Sequence, residues 1–298
     1  YAVMVNEPEK IAYHLDKAIY LASSGRPGPV WLDIPMDVQG ALIDEKKLKH
    51  FNPDEITKDY KEEATESEIA KVKELLSQAK RPIIIAGQGI LISKAQEVFR
   101  QLVERLSIPV VASRLGIEVL PSIHPLFIGR IGNKGDRAGN FALQNSDLVI
   151  SIGSRLSVSS TGHEYETFAR EAKIVVIDID PYEHKKNTVK IDLFINADAK
   201  DFISKLLDAQ TNNLKEWTDK CLRWKNKWPV CLPEYSKSNK VNLYYFIDRL
   251  SRKLKPDSVV ISDAGSAFYV TSQGIQLKGK QRYITSGGQA EMGYTLPS

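Results

Sequence analysis

Between residues 66 and 210 the chain alternates short apolar runs, rich in β-branched residues, with longer stretches whose apolar residues recur every three or four positions. An open parallel sheet covered by helices on both faces satisfies that alternation, because strands buried on two sides read as continuous apolar runs. Thr65 and Glu68 stand at capping-box spacing and open a helix carrying Ile69, Val72, Leu75, Leu76 and Ala79 on one side. The run Arg81–Ala86 follows as a strand and ends in Gly87-Gln88-Gly89. A second helix presents Ala95, Val98, Phe99, Leu102, Val103 and Leu106 on one face. Strand Pro109–Ala112, a glycine-rich loop, a short helix over Ala138–Gln144 and strands Leu148–Ile152, Lys173–Asp178 and Leu193–Ile195 complete the pattern. The fold class is α/β, with doubly wound parallel-sheet domains.

The central domain spans residues 66–210. Residues 44–65 read as a charge-rich linker and 211–240 as a second one. In the latter, Trp217, Trp224 and Trp228 stand at helical intervals that favour packing over ligand binding. Residues 1–43 and 241–298 flank these as smaller pieces. The first has a helix over 8–23 and a strand Val30–Pro35; the second has a helix over 241–254 and a strand Val259–Ser262. The chain opens at Tyr1 rather than Met and stops at Thr295–Ser298, directly after a glycine-rich run. Domain boundaries are usually polar and loose, so the expectation is a fragment, a complete central domain between two partial ones.

The 298 residues carry 41 Lys and Arg against 37 Asp and Glu, a net charge of +4 without a concentrated basic footprint, which argues against nucleic acid as a partner. No apolar run approaches the roughly 18 residues of a membrane span and no signal peptide opens the chain, so no membrane partner is expected. Cys221 and Cys231 are the only cysteines and build neither a disulfide framework nor a four-ligand zinc site. A reducing cytoplasm is the expected location.

Ligands of open parallel sheets bind outside the carboxyl ends of the strands, where glycine lets backbone approach phosphate. Four segments meet that description: Gly87-Gln88-Gly89, the pair Gly129 and Gly132 in a loop, Gly153-Ser154-Arg155, and Asp178 with Asp180 at a strand end. Arg155 suits a phosphate through its planar fork, and a carboxylate at a strand end suits ribose hydroxyls. Each alone also reads as a tight turn or a structural ion pair; together they favour a nucleotide-shaped ligand. His14, His50, His124, His163 and His184 are scattered without metal spacing, and neither a G-x-S-x-G elbow nor a Walker A loop occurs. Asp263-Ala264-Gly265-Ser266 follows a strand, and its backbone N–H groups suit either an anion or a plain strand-to-helix turn.

The run Arg26-Pro27-Gly28-Pro29-Val30-Trp31-Leu32-Asp33-Ile34-Pro35-Met36-Asp37-Val38-Gln39 resembles the end of the pyrimidine-binding domain of thiamine diphosphate (ThDP) enzymes, most closely acetolactate synthase (acetohydroxyacid synthase) large subunits. The order of later motifs agrees: Pro82–Gly89, Asp147–Arg155, Ile177–Asp180 and Ser286–Pro297. The resemblance covers essentially the whole chain. It implies a transferase of branched-chain amino acid biosynthesis that joins two pyruvates to acetolactate with loss of carbon dioxide, working on 2-keto acid substrates as a homodimer or homotetramer, with or without a regulatory subunit. It also implies ThDP held between subunits. By matching position, Ala264 props the bent cofactor, Gly265, Ser266 and Ala267 lie near the diphosphate, and Ala290 and Met292 lie near the aminopyrimidine. For FAD, the matching positions are Gly87, Gln88, Gly89, Gly129, Gly132, Gly153, Arg155, Asp178, Ile179 and Asp198.

Three departures point to a diverged paralogue. After Arg155 the chain reads Leu156-Ser157-Val158-Ser159-Ser160, where the family is richer in aspartate and arginine. Ser266-Ala267 replaces a Gln-His pair, and Ala264 replaces a larger valine. The resemblance places the catalytic glutamate upstream of Tyr1 and the magnesium-binding Gly-Asp-Gly…Asn motif downstream of Ser298, so this stretch alone is expected to be inactive. Another ThDP enzyme (a decarboxylase, an oxidase or a surface-sugar biosynthetic enzyme) and a non-catalytic nucleotide-binding or subunit-interaction module are the alternatives.

Overall fold

The computed structural model describes residues 1–56, 63–183, 185–289 and 291–298. Ala290, expected near the aminopyrimidine, and His184 lie outside the described residues. Those described fall into two compact units, one from the stretches 1–61 and 179–181, the other from 62–178 and 182–298.

In the first unit, strands β1 (Ala2–Met4) and β2 (Trp31–Asp33) pair in parallel with Val3 opposite Leu32, and helix α1 (Ile11–Ser23) is the crossover between them. Pro8 opens a single 3-10 turn ahead of α1, a position where its missing N–H costs no hydrogen bond. Helix α2 (Met36–Gln39) follows β2.

The second unit begins with helix α3 (Glu66–Gln78), and both arms of its capping box form. The Glu68 amide donates to Thr65 Oγ1 at 3.3 Å and the Thr65 amide to Glu68 Oε2 at 2.8 Å. Strand β3 (Pro82–Ala86), helices α4 (Gly89–Ile92) and α5 (Gln96–Leu106), and strands β4 (Val110–Ala112) and β5 (Phe127–Arg130) come next. Then follow α6 (Arg137–Gln144), β6 (Leu148–Ile152), α7 (Val158–Thr161), β7 (Lys173–Asp178), β8 (Leu193–Asn196), α8 (Ala199–Lys205) and α9 (Lys215–Lys227). The six strands form one parallel sheet in the order β5-β4-β3-β6-β7-β8. The chain therefore runs outward from β3 to β5, returns to lay β6 against β3, and runs outward the other way.

Alternation along the strands assigns each residue to one of two cores. Ile84, Ala86, Val110, Ile150, Val175 and Ile177 pack with Val72 and Leu76 of α3, Phe99 and Leu102 of α5, and Phe202 of α8. Ile83, Ile85, Val111, Val149 and Val176 face the other way, onto Ala142 and Leu143 of α6 and Trp217 and Cys221 of α9. Trp217 also donates its indole N–H to the Pro82 carbonyl at 2.9 Å, so this tryptophan is a packing residue. Both faces are covered, which is why these strands lack polar alternation.

The sequence leaves Gly129 and Arg130 in a loop; the structure puts them in β5, the edge strand. The apolar run Leu126-Phe127-Ile128 stops at Gly129, and a glycine inside a strand weakens its signal. The glycine is there for space, because a Cβ would sit 2.1 Å from Asp136 Oδ1. The unit closes with α10 (Leu243–Lys253), β9 (Val259–Ser262), α11 (Gly265–Gly274) and β10 (Arg282–Thr285), in which β9 and β10 pair in parallel around α11. Strands β1 and β10 were also beyond the sequence reading.

Candidate functional site

Strands β3 and β6 are neighbours whose connections leave in opposite directions, and at such a switch point the strand ends part to leave a crevice. Here the ends are interlocked. The Gly87 amide donates to the Ile152 carbonyl and the Gly89 amide to the Gly153 carbonyl, each at 2.9 Å. A Cβ on Gly87 would meet the Gly153 oxygen at 2.1 Å, one on Gly89 would meet the Gly153 Cα at 2.6 Å, and Gly153 itself sits at φ +60°. These glycines are required by backbone meeting backbone, and the N–H groups of Gly87 and Gly89 are spent inside the protein.

Beside that interlock opens a cavity of about 320 Å³. Its wall is formed by Gln88, by Ser113 and Arg114 just past β4, by the segment from Gly153 to Ser160, and by Gly287 and Gly288. Arg114 forms no hydrogen bond or ion pair with any described residue; its guanidinium lies over the Phe268 ring, 4.7 Å from the centroid. Burial lowers its pKa below that of a free arginine. A half-buried cation without an anionic partner among the described residues, in a cavity rimmed by serine hydroxyls, suits a phosphate group. Arg155 behaves differently: its Nε is paired with Glu183 Oε1 at 3.0 Å and its side chain is largely exposed.

A second cluster gathers at the carboxyl end of β9. Helix α11 starts at Gly265, φ +64°, without a side-chain cap, and Gly265, Ser266 and Ala267 are exposed. Its free first-turn N–H groups and its dipole favour an anion. The Asp263 carboxylate binds the loop opposite, accepting from the Gly293 amide at 2.9 Å and from Thr295 Oγ1 at 3.0 Å, and it also accepts from the Ala264 amide at 2.7 Å. These bonds, that from Ala264 foremost, hold the Asp263 carboxyl below its ordinary pKa.

Residues 69–206 match the family model described as thiamine pyrophosphate enzyme, central domain. The chain is similar to the thiamine pyrophosphate enzymes. It is 32% identical, over 99% of its length, to the acetolactate synthase large subunit of Corynebacterium glutamicum and to the probable acetolactate synthase large subunit of Methanocaldococcus jannaschii. It is 31% identical, over its whole length, to the acetolactate synthase large subunit of Lactococcus lactis. It covers 47%, 51% and 51% of those proteins, so it spans about half the length of the curated relatives it matches.

Of the positions expected to meet a nucleotide in a thiamine pyrophosphate enzyme, Gln88, Gly153 and Arg155 line the cavity, and Gly87 and Gly89 adjoin it through Gly153. Gly132 (φ +102°) abuts its wall, since a Cβ there would meet the Ser159 carbonyl oxygen at 2.1 Å. Gly129 faces Asp136 in a different cavity. Asp178 ends β7 and is buried, and Ile179 follows it. The Asp198 carboxylate caps α8, accepting from the Lys200 amide at 2.8 Å and the Asp201 amide at 3.3 Å. At the second cluster Ala264, Gly265, Ser266 and Ala267 stand together, and Met292 lies 90% exposed on the loop held by Asp263. Sequence reading missed Ser113, Arg114, Gly287 and Gly288. The rule that singled out Gly87 and Gly153 applies equally to Ser113 and Arg114, which follow the next strand; what hid them is the lack of glycine.

Proposed function

We propose that this chain serves a ThDP-dependent enzyme of 2-keto acids, of acetolactate synthase type, that decarboxylates one pyruvate and joins the remainder to a second. Relatives with that printed name, matching nearly the whole chain, support the reading. The observation that carries it is the uncapped, exposed N-terminus of α11, facing the loop that Asp263 ties down. Such an end fits a diphosphate. When bound, ThDP supplies a thiazolium carbon that adds to the keto acid and retains the electrons freed as carbon dioxide leaves. The residues of this chain bind and orient. Gly265, Ser266 and Ala267 would offer first-turn N–H groups to the diphosphate, Ala264 would sit under the thiazolium, and Met292 would cover one face of the pyrimidine. Among the described residues no group of three His, Cys, Asp or Glu side chains could hold a metal ion.

The switch-point cavity is the proposed seat of FAD. Arg114 would hold a phosphate there, a role the strand-end reading gave to Arg155, and Gln88 and the serines of 154–160 would hydrogen-bond the rest. Assembly with a second copy of the chain is supported by the exposed apolar residues of the first unit: Ile19 (66% exposed), Trp31 (72%), Met36 (86%) and Leu42 (100%). Light scattering on the eluted protein checks that assembly. Among the described residues no helix is long and apolar enough to cross a membrane, and a cytoplasmic location is part of the proposal.

Acetolactate formation from pyruvate, assayed with ThDP and magnesium on the product of the full reading frame, is the deciding experiment. Carbon dioxide release without acetolactate would convert the reading to a simple decarboxylase. Cofactor binding with no turnover of any 2-keto acid would leave a binding module. Flavin fluorescence titration tests the FAD seat separately, with binding expected to weaken about tenfold or more in Arg114→Leu.

A further inference from the structure

A second cavity, of about 410 Å³, lies between the edge strand β5 and helices α9, α10 and α11, and it shares no lining residue with the switch-point cavity. Two cations line it. Arg130 is only 5% exposed; one terminal nitrogen donates to the Ile275 carbonyl, and its Nε has no hydrogen-bond partner among the described residues. Lys225, on α9, donates to the carbonyls of Phe127 and Ser122. Both cations stand 5.6 Å from the centroid of the Phe127 ring.

The one unpaired carboxylate beside them, that of Asp136, acts on both by charge and offsets them only in part. Asp136 is buried and committed to the backbone, accepting from the Arg130 amide at 2.8 Å and, as the cap of α6, from the Gly139 amide at 2.7 Å. Asp248 and Arg252, also in the lining, pair with each other at 3.0 Å. Among the described residues neither Arg130 nor Lys225 forms an ion pair. Burial lowers the pKa of both Arg130 and Lys225 and raises that of Asp136, the pattern of a dry enclosure.

Two cations and one carboxylate leave a surplus positive charge, and a buried charge is costly unless an opposite one meets it. A water molecule would satisfy the vacant Nε–H but not the surplus charge. We propose that this cavity binds a small oxyanion, a phosphate or carboxylate group, held by the Nε–H of Arg130 and the ammonium of Lys225. The space is that of a small-metabolite site and exceeds what one anion needs, so the oxyanion is the anchoring end of a larger molecule.

Isothermal titration of the chain with inorganic phosphate, and separately with acetate, both at constant ionic strength set by chloride, tests this. Saturable binding of at least one is expected, weakened about tenfold or more in both Arg130→Met and Lys225→Met. Preference for phosphate identifies a phosphorylated ligand, and preference for acetate an organic acid. Should Arg130→Met fail to fold, Lys225→Met decides alone. The proposal is overturned if neither anion binds saturably up to about 10 mM. It is equally overturned if binding survives both substitutions but is lost in Arg114→Leu, which would place the anion in the switch-point cavity.

Discussion

At the scale of single residues, Gly153 is the most constrained position near the switch point. A Cβ there would approach the Gly89 Cα at 2.6 Å, and its φ of +60° is disfavoured for L-residues, which carry a Cβ. Gly153→Ala is therefore expected to cost about 2–4 kcal/mol, read as a shift in the urea midpoint at unchanged slope. Asp263 holds its loop by charge. Because its pKa is lower folded than unfolded, its contribution is present above the ordinary carboxylate pKa and is lost as pH falls through the depressed value. At neutral pH the Gly293 amide should be protected by this carboxylate. Asp263→Asn should speed its hydrogen exchange about tenfold, and an unchanged rate would show that the loop is held by something else.

At the scale of elements, the capping box and the burial of one helix face set the stability of α3 and α5. Thr65→Ala removes a side-chain cap and is expected to cost about 1 kcal/mol, whereas Phe99→Ala empties a fully buried site and is expected to cost about 3–5 kcal/mol. Chemical denaturation of the two variants separates them. These elements were legible in the sequence because their signals are local: a threonine and a glutamate three residues apart, or the five consecutive apolar residues of β3. Strand β5 was not, because its edge position needs few apolar residues and its Gly129 answers to Asp136, seven residues on. The two central glycines were found at the correct strand ends, but their role was not visible. Phosphate contact and backbone contact demand the same residue, and only the position of Gly153 distinguishes them. Arg114 was missed for a related reason, since a lone arginine in sequence carries no mark of whether it is paired.

At the scale of the whole molecule, the six-stranded sheet holds the deepest burial, with β4, β3, β6 and β7 flanked on both sides by other strands. Hydrogen exchange followed by mass spectrometry should find the slowest amides in those four strands. The paired β1 and β2, with one neighbour each, should exchange earlier, and equal protection throughout would contradict a graded core. The interlock of Gly87, Gly89 and Gly153 joins segments more than sixty residues apart, each belonging to a different half of the sheet. Neither half owns the crevice. A nascent chain that has completed β3 to β5 has built half a wall and no receptacle, so occupancy of that crevice reports that synthesis and docking of both halves are finished. Any molecule seated there acts as a seal on the folded product rather than as a nucleus for its folding.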